Sequence, residues 1–160
     1  VEMTWDIADG VIFYLRPKGE MKNTISIMQK KKKIDTTLQI ITCIHNDDEK
    51  ARKRAKKTLS FYIAVGKIYR EFLQSTGYSE ETHTIYDEYQ KGGLNGLEKF
   101  VPEKMLDDLC IAGTPDTAIK KLNAFRDTGI DLPIIQFNPI DDVNESFELL
   151  VKTFSGELNE

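Results

Sequence analysis

The sequence is poor in the residues that chemistry most often needs. It has only two cysteines and two histidines in 160 residues. Cys43 and Cys110 lack the close pairing of a metal site or a disulfide framework, and both lie among apolar neighbours, so they read as buried free thiols. His45 and His83 are isolated from cysteine or carboxylate ligand patterns, and no metal site is expected. No G-x-x-x-x-G-K-[ST] loop occurs, and no G-x-G-x-x-G follows a strand. A Ser-His-Asp or Cys-His set is likewise missing. The longest apolar runs, such as Leu38 to Ile44, fall far short of the roughly 18 to 20 residues of a spanning helix. No basic-then-apolar leader opens the chain, and a cytoplasmic protein without a membrane partner is expected. The sequence starts Val1-Glu2-Met3, without a methionine at position 1, and is read as a piece of something longer.

What is present is charge and punctuation. Twenty-two basic and 26 acidic residues leave a formal net charge of −4. The basic run from Arg52 to Lys57 and the lysines 30–33 are flanked by acids and carry no interleaved aromatics. They read as solvated helix surface, and no nucleic-acid partner is expected.

Val11 to Leu15 is an unbroken apolar run stopped by Arg16-Pro17, which suits a strand buried on both faces. Leu38 to Ile44 is a second such run, rich in β-branched residues, and Leu132 to Phe137 a third. Between them lie a lysine-ended helix after Met21 and a long helix from Asp48 to about Leu73. The long helix has Asn46 or Asp47 as its cap and Gly66 as its one weak point. Phe61, Tyr62, Val65, Ile68, Tyr69 and Phe72 recur at helical spacing and predict one buried stripe. Residues 77–110 read as a helical insertion, broken at Gly92-Gly93, Gly96 and Pro102. Thr114, Pro115 and Asp116 form a helix start, and Gly129 a stop. A last amphipathic helix spans Asp142 to Phe154. Strands separated by helices pair in parallel, so the fold class is α/β, with residues 1–160 as a single domain.

Four stretches in this order resemble the bacterial luciferase-like family. They are Ile7-Ala8-Asp9-Gly10-Val11 leading into a strand, the run LQIITCIHNDDEKARKRAKK passing straight into its helix, Val101 to Asp108, and Ile111-Ala-Gly-Thr-Pro-Asp with Asp127 to Ile135. The resemblance covers nearly all residues from Ile7 to Phe154 and is nearest the methylenetetrahydromethanopterin reductase branch. It implies flavin or deazaflavin enzymes on a (β/α)8 TIM-type barrel. This chain would supply the last three β/α units, as the C-terminal portion of an oxidoreductase that transfers hydride or activates oxygen.

The implied cofactor is the deazaflavin coenzyme (F-420) or FMN in the full-length parent, acting on a small-molecule substrate, with weak or no binding by this chain alone. The implied partners are the missing N-terminal part or further copies of the chain. A non-catalytic barrel-half serving as an oligomerisation or interaction module is the alternative. Active sites of such barrels lie at the C-terminal strand ends. That places Tyr14, Leu15, Arg16 and Lys18 after the first strand, His45 after the second, and Gln136 and Asn138 after the third in cofactor-binding positions. The Gly113 turn is expected at the opposite end, away from the chemistry.

Overall fold

The computed structural model describes residues 2–156, and all four strands in that range pair in parallel. A short helix α1 (Glu2–Ile7) precedes β1 (Gly10–Tyr14), followed by α2 (Lys18–Met28) and β2 (Asp35–Ile44). Then come α3 (Asp48–Val65), α4 (Lys67–Ser75), α5 (Ser79–Gly92), a 3-10 turn at Leu97–Phe100 and α6 (Glu103–Leu109). The chain ends through β3 (Cys110–Gly113), α7 (Pro115–Arg126), β4 (Leu132–Phe137) and α8 (Val143–Ser155).

β2 is the spine of the sheet. Residues 37–39 pair with β1 and with β4, so those two strands lie on opposite edges of β2. Ile41 and Thr42 pair with β3 and β4, which puts β3 on the same edge as β1, further along. The sequence pointed to three strands; β3 is a fourth, four residues long and entirely buried. Asp131 clamps the start of β4, since its Oδ2 accepts from both the backbone N and the Oγ1 of Thr36, each at 2.7 Å. No described strand pairs the outer edges of β1 and β4.

Strand alternation divides the sheet into two faces. One carries Phe13, Leu38, Ile40, Ile44 and Ile111 and packs with Trp5 of α1, Met21 and Ile25 of α2, and Leu122 and Phe125 of α7. The other carries Ile12 and Tyr14 of β1, Thr37, Gln39, Ile41 and Cys43 of β2, and Ile134 and Gln136 of β4. Around its C-terminal half, Ile41, Cys43, Cys110 and Ala112 pack with α3 to α6, through residues such as Leu59, Ile63, Ile85 and Leu106. Its first row, Ile12, Thr37 and Leu132, is open: Ile12 is 69% and Leu132 58% exposed.

The long helix breaks at Gly66, whose φ of −95° and ψ of 91° end α3 and start α4. Asp47, and not Asn46, caps α3 by accepting from the backbone N of Glu49 and Lys50. The expected buried stripe is corrected. The buried side of α3 is Ala51, Ala55, Leu59 and Ile63, whereas Phe61, Val65 and Ile68 are substantially exposed. Small alanines let the first half of the helix sit close to β2 and β3, and the large residues turn to the open side. Thr114 occupies the N-cap position of α7 without capping it; its hydroxyl donates to Thr117 Oγ1 at 3.1 Å.

Gly113 is the other correction. It pairs with Ile44, so the turn lies at the C-terminal end of the strands, the same end as His45 and Asn138. A helix that follows a strand and returns to feed the next parallel strand must begin at that end. At φ 144° a side chain is disfavoured, and a Cβ would also meet Thr117 and Asp48 Oδ1 within 3 Å.

Candidate functional site

At the C-terminal strand ends the half-open face gathers three tyrosines from three elements. Tyr14 ends β1, Tyr62 lies in α3 and Tyr69 in α4. Their rings meet edge to face, with centroids 5.2 Å apart for Tyr14 and Tyr62, 5.4 Å for Tyr14 and Tyr69, and 5.9 Å for Tyr62 and Tyr69. The break at Gly66 lets Tyr69 close this cluster. A Cβ at residue 66 would lie 2.6 Å from the Tyr69 ring and 2.7 Å from the Tyr62 carbonyl oxygen.

Polar groups run through the cluster. Gln39 Nε2 donates to Gln136 Oε1 at 3.2 Å, and Gln136 Nε2 reaches the Tyr62 hydroxyl at 3.5 Å. The Tyr14 Oη is buried and lies near the Tyr62 hydroxyl and the Gln136 amide, but meets hydrogen-bond geometry with no described residue. Burial first, and the neighbouring Tyr62 second, push the Tyr14 phenol well above its usual range, so it stays protonated and can only donate or accept a hydrogen bond. Two clefts flank the cluster. One, of about 230 Å³, is lined by Ile12, Tyr14, Arg16, Tyr69 and Phe72 among others. The other, of about 290 Å³, lies between α3 and the end of β4 and includes Tyr62, Gln136 and Asn138.

The positions marked from the sequence separate into groups. Tyr14 and Gln136 meet in the cluster. Leu15, at φ 50°, turns its side chain into the core and is 2% exposed. Arg16 donates to Glu20 Oε1 at 2.7 Å and stacks on Phe13 and Phe72, its guanidinium carbon 4.2 Å from the Phe72 centroid. Lys18 gives its backbone N–H to Asp108 Oδ1 and holds its ammonium 5.2 Å over the Phe125 ring. Burial and then its bond to Asp108 push the Tyr78 phenol up on the other side of that carboxylate.

Asn138 is buried and its amide is held at both ends: Oδ1 accepts from Thr58 Oγ1 and Nδ2 donates to the Gln136 carbonyl. His45 lies past the end of β2 and apart from the tyrosines. Its Nδ1 accepts from the Asp47 backbone N, and its Nε2 stands 3.7 Å from Asp141. It lines a separate cleft of about 320 Å³ against α8, where Asp141, Glu145 and Glu148 also lie.

Neither thiol is poised for chemistry. Burial pushes Cys43 up to about 12 and raises Cys110 as well. Among the described residues no group of three or more His, Cys, Asp or Glu could hold a metal ion, and no helix is long and apolar enough to cross a membrane.

Tyr62, Tyr69 and Gln39 are the cluster members that sequence reasoning did not mark. The helical spacing of the first two points to a core stripe and hides them. Gln39 carried a usable signal, as the one amide inside the apolar run from Leu38 to Ile44.

The profile of the luciferase-like monooxygenases matches residues 1–132. The chain belongs to the luciferase-like monooxygenase family. Among curated proteins this family member is similar to a 5,10-methylenetetrahydromethanopterin reductase of Archaeoglobus fulgidus, 26% identical over 128 residues, which are 78% of this chain and 38% of the relative. Among solved structures it is similar to the coenzyme F-420-dependent tetrahydromethanopterin reductase of Methanopyrus kandleri. That match has a TM-score of 0.77 at 20% identity and covers 98% of this chain and 47% of the other. It is also similar to an EDTA monooxygenase of Chelativorans sp. BNC1, with a TM-score of 0.53 at 14% identity over 99% of this chain and 41% of the other. The two solved structures speak for the fold: an α/β arrangement forming part of a (β/α)8 TIM-type barrel. The luciferase-like chain spans less than half the length of each of these relatives.

Proposed function

We propose that this chain forms part of the active-site rim of an oxidoreductase in which a deazaflavin or flavin ring lies against the Tyr14–Tyr62–Gln136 cluster. The observation that carries the reading is the Tyr14 Oη, buried and without a well-formed hydrogen bond beside two amides and a second hydroxyl. A buried polar atom left unsatisfied is costly, and a ring carbonyl or ring nitrogen would relieve it. Family membership and the reductase among its relatives support the same reading. The deazaflavin coenzyme (F-420) is the first candidate, since the solved relative at TM-score 0.77 is named for it, and FMN the second.

When bound, such a ring supplies two-electron, hydride-carrying chemistry. The chain's own residues bind and orient. The Tyr14 phenol, kept protonated by burial, donates to the ring; Tyr62 and Gln136 fix the plane of contact, and Tyr69 with Phe72 excludes water from one side. Arg16 and Lys18 border the first strand's loop and Asn138 lines the cleft beyond Tyr62, whereas Leu15 supports the cluster from the core and His45 stays outside it, in its own cleft.

The chain is read as the C-terminal portion of a longer barrel, binding the coenzyme weakly or not at all alone. Absorbance titration of F-420 and of FMN against this chain, and against the longest polypeptide whose reading frame contains it, tests the proposal. Saturable spectral change with the longer polypeptide is expected, and no change with either coenzyme would sink it.

A second reading, an interaction module without catalysis, is favoured by the exposed Ile12, Ile68 and Leu132 beside open sheet edges. It requires this chain to form a stable oligomer free of cofactor, and a monomer by light scattering would exclude it.

A further inference from the structure

The basic run of α3 is not one electrostatic feature. Lys50 pairs with Asp141, Arg52 with Glu103 and Asp107, and Lys56 with Glu103. Arg54 and Lys57 have no carboxylate within ion-pairing distance among the described residues, and both line the cleft between α3 and the end of β4. None of the cleft's seven lining residues is acidic. By contrast, Asp141, Glu145 and Glu148 line the cleft beside His45.

Arg54 is half-buried and preorganised. Its Nε donates to the Pro139 carbonyl at 3.1 Å and its Nη1 to Thr58 Oγ1 at 2.6 Å. A guanidinium has five N–H donors in a fixed fork, so these bonds aim the head and leave donors over. Taking a positive charge partly out of water without a counter-charge is costly, which an incoming anion would offset. Phe61 and Tyr62 form the aromatic wall, their rings 5.6 Å apart, with Phe61 44% exposed. Lys57 stands one turn further along the same helix.

We infer that this cleft binds the oxyanion, phosphate or carboxylate, of a small ring-bearing ligand, with Arg54 as the directional donor and Lys57 as the mobile charge. The inference deepens the proposed function and rests on it for what the rest of the ligand is: the ring would meet Tyr14 and Tyr62, and the anion would lie across Tyr62 toward Arg54. It also assigns part of the basic run, read from the sequence as plain solvated surface, to ligand binding.

The test uses this chain and simple anions. Sodium phosphate and sodium glutarate are titrated separately, with sodium chloride at matched ionic strength, while the Arg54 Nε–Hε and Asn138 side-chain amide resonances are followed by NMR. Saturable shifts with dissociation constants on the order of millimolar are expected for at least one anion and not for chloride. Saturation by phosphate alone identifies a phosphoryl source, and by glutarate alone a carboxylate. R54Q should abolish saturation. Because Arg54 also holds the Pro139 loop, K57Q is the second variant: it should raise the dissociation constant about tenfold without moving the thermal midpoint.

K53Q is the control, since Lys53 lines a different cleft, and it should leave binding unchanged. Absence of saturation, equal shifts with chloride, or an equal loss in K53Q and K57Q would overturn the proposal. Saturation here together with no coenzyme binding by the longer polypeptide would fell the redox reading and leave the anion site standing. The reverse pair of results would do the opposite.

Discussion

The two faces of one sheet follow different rules in this molecule. On the face under α1, α2 and α7, Phe13, Leu38, Ile40, Met21, Leu122 and Phe125 are almost wholly removed from water, and the buried Thr36 and Thr42 hydroxyls among them are hydrogen-bonded. On the other face, β2 presents Thr37 and Gln39 before Ile41 and Cys43, and β4 presents Gln136. That face is covered at one end and open at the other, and its buried Tyr14 hydroxyl lies beside the amides of Gln39 and Gln136, whereas the unpartnered donor of the first face, the Trp5 indole N–H, is enclosed among apolar side chains. Full burial of apolar area stabilises the fold; a half-covered face with partly satisfied polar groups has hydrogen-bonding capacity left for a ligand. Apolar packing and polar capacity are divided by strand alternation, since neighbouring residues of β2 face opposite sides.

The largest test of that division is a pair of truncations. Phe125 is 0% exposed in the apolar layer, so Phe125→Ala should cost about 3–5 kcal/mol, read from the urea midpoint by circular dichroism. Phe61→Ala, at 44% exposure on the other side, should cost less than about 1 kcal/mol. Equal losses would mean that the second face is as much a core as the first.

Gly66→Ala should come next. The added methyl would press on the Tyr69 ring and the Tyr62 carbonyl, so about 1–3 kcal/mol is expected, together with a weakened near-ultraviolet tyrosine signal. An unchanged tyrosine signal would show that the cluster does not depend on the helix break.

A smaller effect is expected from pH. Glu103 lies between Lys56 and Arg52, whose hydrogen bonds hold its carboxyl below the usual range. Asp107 is also held low: burial works against it, but the bond and charge of Lys121, with Arg52, outweigh that. A depressed carboxylate pKa adds stability above the unfolded value, and that stability disappears as pH falls through the folded value. The chain should therefore lose stability below about pH 4, and E103Q should flatten that slope while changing the neutral-pH value by less than about 1 kcal/mol, because Glu103 is largely solvent-exposed. A slope unchanged in E103Q would remove these pairs from the account.

Much of the architecture was readable because its strands are unbroken apolar runs and its helix ends carry Pro, Gly and Asp. β3 escaped notice since four residues following α6 without a linker leave no periodicity to detect. The aromatic stripe misleads because spacing reveals a face but not which face is buried; alanines 51 and 55, allowing close approach, decide that. Tyr14 and Gln136 were legible as strand ends. Arg54 was not, because its lack of an acidic partner exists only after α6 and the β4 loop have folded against α3 and supplied partners to its neighbours. The end of the sheet at which the Gly113 turn lies depends on β3, whose pairing with β2 fixes it beside Ile44 and leaves no mark in the sequence.

The smallest stability effect is the most informative for the comparison between faces. Tyr14→Phe removes only an oxygen that makes no well-formed hydrogen bond to its neighbours Tyr62 and Gln136, and it keeps the ring that meets Tyr62 and Tyr69. For an ordinary buried hydroxyl the loss of a bond would cost about 1 kcal/mol; here there is none to lose, and relief of the desolvated oxygen should leave stability equal or raised by up to about 1 kcal/mol. If the oxygen is there for a ligand, the same substitution should weaken coenzyme binding by the longer polypeptide about tenfold, since a buried hydrogen bond to the ring is lost. A destabilised variant would show that Tyr14 has a structural partner after all, and one equally stable with unchanged coenzyme binding would remove the tyrosine cluster from the site. Stability held and binding lost is the combination expected only of the open face.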